Sequence, residues 1–180
     1  PLSLSEELLT YVKTFDLAHS SCYSHIEGEL HKIKEAGVPV LYDFSDEWND
    51  EVLEKLCSQI NIAFFSGKDL EEEVLKSYLK KCVDEYGCRM AIRTIGGRGA
   101  IVYNGRKFYQ KSPYNFQGGV VDTTGAGDSW ITGFMSSYLN NMKYLEILKE
   151  GAPKNFVNSA DIEDFEDYAI EYSMCMGNLL

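Results

Sequence analysis

Residues 38–65 read VPVLYDFSDEWNDEVLEKLCSQINIAFF, two short apolar runs separated by a charged segment with helical spacing. The runs at 38–44 and 60–65 have the length and β-branched or aromatic content of buried strands, while 49–59 has the pattern of a helix. Two strands joined by such a crossover lie parallel in one sheet. Working outward, the alternation continues on both sides. A helix is expected at 5–13 with Ser5 as N-cap, a strand at 15–19, and a helix at 25–36 stopped by Gly37. Further on, a long charged helix at 69–86 ends at Gly87 and a strand follows at 89–95. The pattern implies an α/β domain whose mostly parallel central sheet is covered on both faces.

Beyond residue 100 the pattern changes. Segments 100–103 and 106–110 flank Asn104-Gly105, the signal for an antiparallel hairpin with a two-residue turn. A short strand ending near Asp122 leads into DTTGAGDSWITGF at 122–134, where Trp130, Ile131, Phe134, Met135 and Tyr138 share one helical face. Two more helices are expected at 142–149 and 161–176. No repeat or linker composition interrupts the chain, so residues 1–180 read as one domain.

The 180 residues are 44% hydrophobic, enough for a globular domain with a real core. Their formal charge of −11 argues against nucleic acid or an anionic membrane as the main partner. No apolar run approaches bilayer-spanning length, and PLSLSEELL lacks a basic leader. Cys22, Cys57, Cys82, Cys88 and Cys175 are scattered without a C-x-x-C pair, which points to reduced thiols and a cytoplasmic location. His19, Cys22, His25 and distant His31 invite a metal reading, against the plainer one of ordinary loop residues.

The stretch at 122–134 carries the chemistry. Gly125, Ala126 and Gly127 fall at a helix N-terminus, where unpaired N–H groups and the helix dipole favour an anion. Asp128 in the same first turn would repel a bound phosphate, unless it faces a second substrate and accepts the proton of an attacking hydroxyl. An acid-capped helix after a glycine turn, with Asp122 or Thr124 as the cap, explains the same residues without catalysis. Gly96-Gly97-Arg98-Gly99 is open in the same way, as a phosphate cradle or as a bend, and Arg93, Arg98 and Lys68 as phosphate contacts or surface charges. Ser129 has no histidine at readable spacing, so a serine nucleophile is rejected.

DTTGAGDSWITGF resembles the C-terminal signature of the PfkB, or ribokinase-like, carbohydrate kinases, and RTIGGRGAIVYNGRKFY is similar to that family's strand, glycine turn and hairpin. The resemblance implies a three-layer ribokinase-like (Rossmann-like) α/β fold with a C-terminal antiparallel hairpin. Asp128 would then be the catalytic base, with the backbone of Gly125, Ala126 and Gly127 as anion hole. Asp122 and the Thr124 carbonyl would lie near a monovalent-cation site for K+. Thr94, Gly96 and Gly99 would lie near ATP, whose Mg2+ rides with the nucleotide.

Departures from the family pattern narrow the expectation. Its N-x-x-E motif is replaced by Ser66-Gly67-Lys68-Asp69, leaving the Ser66 hydroxyl and the shorter Asp69 carboxylate to organise water around Mg2+, and its D-x-N-x-R stretch reads Asp43-Phe44-Ser45-Asp46-Glu47. Together YDFSDEW and FFSGKD look most like fructoselysine 6-kinases, which implies a small sugar or sugar-amine substrate. Generic fructokinases or ribokinases, and a non-catalytic nucleotide- or sugar-binding fragment, are the alternatives. The family's N-terminal βαβ unit and β lid have no counterpart here, and the chain stops inside what resembles the last helix. A partial kinase is therefore expected, with an exposed sheet edge and weak or no activity of its own. Lids in the family often pair, so the full-length protein would be a homodimer.

Overall fold

The computed structural model describes residues 2–67, 70–114, 122–151 and 158–178. The chain divides into two compact units, Pro1–Ile95 with Ile101–Gln110, and Gly96–Ala100 with Lys111–Leu180.

The first unit opens with α1 (Glu6–Val12), where the Ser5 hydroxyl accepts the Leu8 N–H at 3.3 Å. Strand and helix then alternate as β1 (Ala18–Ser21), α2 (Leu30–Glu35), β2 (Val40–Asp43), α3 (Asp50–Cys57), β3 (Ile62–Phe65), α4 (Glu72–Lys80) and β4 (Met90–Thr94). The strands stand side by side in chain order, and β1 to β4 are parallel, with Ala18 opposite Val40, Leu41 opposite Ile62 and Ile62 opposite Met90. β5 (Ala100–Tyr103) and β6 (Phe108–Lys111) complete a six-stranded mixed sheet as its antiparallel part.

Alternation along the strands sends Val40, Tyr42, Ala63, Phe65 and Ala91 to one face. There they form a core with Leu30 and Ile33 of α2, Leu53 and Leu56 of α3, and Leu75 and Leu79 of α4. Each large apolar side chain so buried contributes ~1.5–3 kcal/mol, and a one-residue slip in register would turn the whole set outward. Phe44 and Phe65 stack at 5.1 Å, and Trp48 packs edge-on to Phe65. The intervening residues Leu41, Phe64, Ile92 and Val102 are buried too, the continuous apolar habit of a parallel sheet.

Several boundaries differ from expectation. β1 starts at Ala18, not at 15, because the chain is still turning after α1: Thr14 and Phe15 N–H groups donate to Tyr11 and Val12 carbonyls. The helix expected at 25–36 is a 3-10 turn (Glu27–Glu29) followed by the short α2. α4 runs into a π-helical turn, Lys81–Glu85, before Gly87 at φ +81°. The hairpin connection is four residues, 104–107, and not two. Asn104 Oδ1 accepts both the Arg106 and the Lys107 N–H at 3.1 Å, so the side chain closes a longer turn.

In the second unit α5 (Ala126–Gly151) is one helix of 26 residues where two were expected. The Asn140-Asn141 pair does not break it, because Asn141 Nδ2 donates back to the Ser137 carbonyl at 2.9 Å. α6 (Ser159–Gly177) starts with Asn158 and Asp161 capping each other's backbone N–H groups at 3.0 Å. The two helices pack through Phe134, Tyr138, Ala169, Ile170 and Met174, all buried, and Ser173 Oγ donates to Ser137 Oγ at 3.0 Å. Trp130 stacks on Phe134 at 4.9 Å, and its Nε1 donates to Asn178 Oδ1 at 2.8 Å. The strand expected to end near Asp122 falls on 115–121, outside the described residues.

Candidate active site

In the first unit the carboxyl ends of the parallel strands bring several expected residues to one edge. Ligands of open α/β sheets bind outside this edge. Asp43 ends β2, and its Oδ1 accepts the Ser45 N–H at 2.7 Å, holding Ser45 at φ +49°. The Ser66 N–H, just after β3, donates to the Ser45 carbonyl at 3.0 Å. Thr94 ends the neighbouring β4. Ser66 and Thr94 are both half-buried there, at the ends of adjacent strands. Lys68 and Asp69 lie outside the described residues.

Arg93, which the sequence left open as a phosphate contact, is 2% exposed. Its Nη1 donates to the Ser66 carbonyl at 3.0 Å and its Nη2 to the Gly67 carbonyl at 2.5 Å. The signal was an arginine inside the apolar run RMAIRTI, since a charge so placed must be hydrogen-bonded.

In the second unit, Gly96 (φ +56°) opens an exposed 3-10 turn, Gly96–Arg98, closed by the Gly99 N–H donating to the Gly96 carbonyl at 2.9 Å. Gly99 is buried at φ +91°, and a Cβ there would collide with the Lys111 carbonyl. Close backbone packing accounts for this glycine without a ligand.

The turn at 122–128 belongs to the same unit. Asp122 Oδ1 accepts the Thr124 N–H at 2.9 Å, and this bond, then one from the Thr124 side chain, holds its carboxyl below the usual range. Gly125 has φ +74°, with open space where a Cβ would stand. Residues 122–126 and Asp128 are exposed. The Ala126 N–H donates to the Thr123 carbonyl at 3.1 Å, whereas the Gly125 and Gly127 N–H groups have no acceptor among the described residues. Among the described residues, the N–H groups of this turn left without an acceptor are thus those of Gly125, Gly127 and Asp128. A groove of about 510 Å³ along α5 and α6, lined by Thr132, Ser136, Asn140 and Tyr172 among others, begins one turn beyond Asp128 and does not include it. No group of three His, Cys, Asp or Glu side chains among the described residues is placed to hold a metal.

The sequence model of the pfkB family carbohydrate kinases matches residues 7–152. The chain belongs to this family. It is 34% identical over 151 residues to the fructosamine kinase FrlD of Bacillus subtilis (strain 168), covering 84% of this chain and 52% of that protein. Over 149 residues it is 31% identical to the fructoselysine 6-kinase of Escherichia coli (strain K12), covering 83% and 56%. The chain therefore spans about half the length of the curated relatives it matches. Among solved structures, ribokinase of Arabidopsis thaliana complexed with ribose and ATP superimposes at a TM-score of 0.67 and 19% identity, over 99% of this chain and 54% of that one. Ribokinase from Giardia lamblia does so at 0.67 and 17%, over 96% and 55%. These likenesses bear on fold, and the fold of this pfkB family member is the three-layer, ribokinase-like α/β one.

Proposed function

We propose that the full-length protein is an ATP-dependent sugar kinase that phosphorylates fructoselysine to fructoselysine 6-phosphate. Family membership supports the reaction class, and the two fructosamine and fructoselysine kinases support the substrate. The observation that carries the mechanism is the exposed turn at the start of α5: two glycines with unengaged N–H groups, then an exposed carboxylate. The open space at Gly125 fits a phosphoryl oxygen, and the Gly125 and Gly127 N–H groups stabilise the charge it gains in transfer. Ala126 joins that anion hole only by releasing the Thr123 carbonyl. Asp128 takes the proton of the sugar hydroxyl as its oxygen bonds to phosphorus, and the bond from γ-phosphorus to the bridging oxygen breaks to release ADP. Thr94 and Gly96 contact the nucleotide, and Ser66 orders water around its Mg2+, which supplies charge neutralisation. Asp122 and the Thr124 carbonyl hold a monovalent cation such as K+. The whole acts in the cytoplasm as one kinase domain, of which this chain is part, and pairs as a homodimer.

The test is phosphoryl transfer by the full-length protein from ATP to fructoselysine, fructose and ribose, read by ADP release and product mass. Fructoselysine is expected to be the preferred acceptor. Preference for fructose or ribose would favour another sugar kinase of the family, a reading that the 28% identity to an ATP-dependent 6-phosphofructokinase supports. Nucleotide binding with no transfer to any of the three would leave a binding module and overturn the kinase reading.

A further inference from the structure

A buried guanidinium is costly, several kcal/mol unless its hydrogen bonds are met, so its placement calls for a reason. Arg93 is the penultimate residue of β4 and lies opposite Phe65 in the parallel register. Its two terminal nitrogens grip successive carbonyls, Ser66 at 3.0 Å and Gly67 at 2.5 Å. In a trans peptide the N–H points opposite to the preceding C=O. With the Ser66 carbonyl turned in to Arg93, the Gly67 N–H is turned out, on a residue that is exposed. Neither that N–H nor the Ser66 hydroxyl has an acceptor among the described residues. The same segment is clamped from the other side. Ser66 N–H donates to Ser45, and Gly67 at φ +69° leaves no room for a Cβ, which would stand 2.6 Å from Asp46 Cβ.

We infer that Arg93 is a positioning residue for nucleotide binding. From inside the sheet it fixes the Ser66-Gly67 backbone so that an outward N–H, backed by a fixed positive charge, meets an ATP phosphate oxygen at the carboxyl edge. Arg93 itself does not touch the ligand. This rests on the kinase reading above for the identity of the anion. Lysine cannot replace it fully, because one ammonium is a point charge without the planar fork that spans two carbonyls.

The experiment uses the full-length protein with Arg93→Met and Arg93→Lys, measuring KM for MgATP and for the sugar separately, with binding of a non-hydrolysable ATP analogue in parallel. We expect Arg93→Met to raise the MgATP KM and the analogue Kd about tenfold, with the sugar KM within about twofold, and Arg93→Lys to fall between. A loss of folding alone would not produce that split. Should Arg93→Met fail to fold, Arg93→Lys decides: analogue binding equal to wild type overturns the inference, and so does an effect on sugar KM alone. If the wild type binds the analogue but transfers nothing, the kinase reading fails while the Arg93 prediction is still read from Kd. A wild type that binds no nucleotide overturns both.

Discussion

At the carboxyl edge of the sheet, Ser45, Ser66, Gly67 and Arg93 are joined by hydrogen bonds of 2.5–3.0 Å around a guanidinium 2% exposed. At residues 122–128, by contrast, the exposed Asp122 carboxylate accepts from Thr124, the Ala126 N–H donates to the Thr123 carbonyl, and the turn is open to solvent. The edge has its geometry fixed before any ligand arrives, which suits holding a ground-state group. The turn keeps unengaged donors beside a carboxylate, which suits charge that appears only during transfer. The contrast teaches that one chain can carry both a backbone segment locked by a buried guanidinium and a glycine turn left open to solvent.

Substitutions break or sharpen this contrast. The largest effect is expected for Asp128→Asn in the full-length protein, a fall in kcat of ~10²–10⁴-fold with MgATP KM little changed. Wild-type turnover by this variant in steady-state assays would remove chemistry from the turn. Next come two glycines with positive φ and different neighbours. Gly99→Ala drives a Cβ into the Lys111 carbonyl and should cost about 3 kcal/mol or more, whereas Gly125→Ala meets open space and should cost only the ~1–2 kcal/mol of left-handed backbone. Urea midpoints of the two variants measure this, and equal midpoints would contradict it.

The smallest effect is that of acid. Asp122, held low first by the Thr124 N–H, and Glu29, held low first by Lys32 and then by the Leu4 N–H, resist protons in the folded chain more than in the unfolded one. The stability they contribute is present above the unfolded carboxylate pKa of ~4 and is lost as pH falls through their lower folded values. Thermal unfolding followed from pH 6 to 2.5 should therefore show a shallower decline below pH 4 for Asp122→Asn than for wild type. Parallel curves would deny Asp122 its local bond.

Much of this was legible in the sequence. The runs at 38–44, 60–65 and 89–95 yielded parallel strands because buried strands demand contiguous apolar residues, a demand that survives without knowledge of neighbours. Boundaries set by side-chain hydrogen bonds were less visible. Asn104 lengthened a turn and Asn141 kept a helix running, and an asparagine can do either or neither depending on what lies within reach. Asn158 with Asp161 is a capping pair with a sequence signature, and it starts α6 at Ser159, ahead of the expected 161. In the site, GAGD marked a glycine turn at a helix start, and the turn is there, but the placement of Arg93 was not marked. Whether an arginine in a strand faces solvent or carbonyls depends on a loop that is distant in sequence.

Trp130 sits two residues past Asp128, stacked on Phe134 and tethered through its indole nitrogen to Asn178. The sequence has only one other tryptophan, Trp48. A Trp48→Phe form of this chain would thus carry a single tryptophan near the foot of α5, and with red-edge excitation that tyrosine does not absorb, phosphate or nucleotide titrations could be followed by its emission with no dye attached.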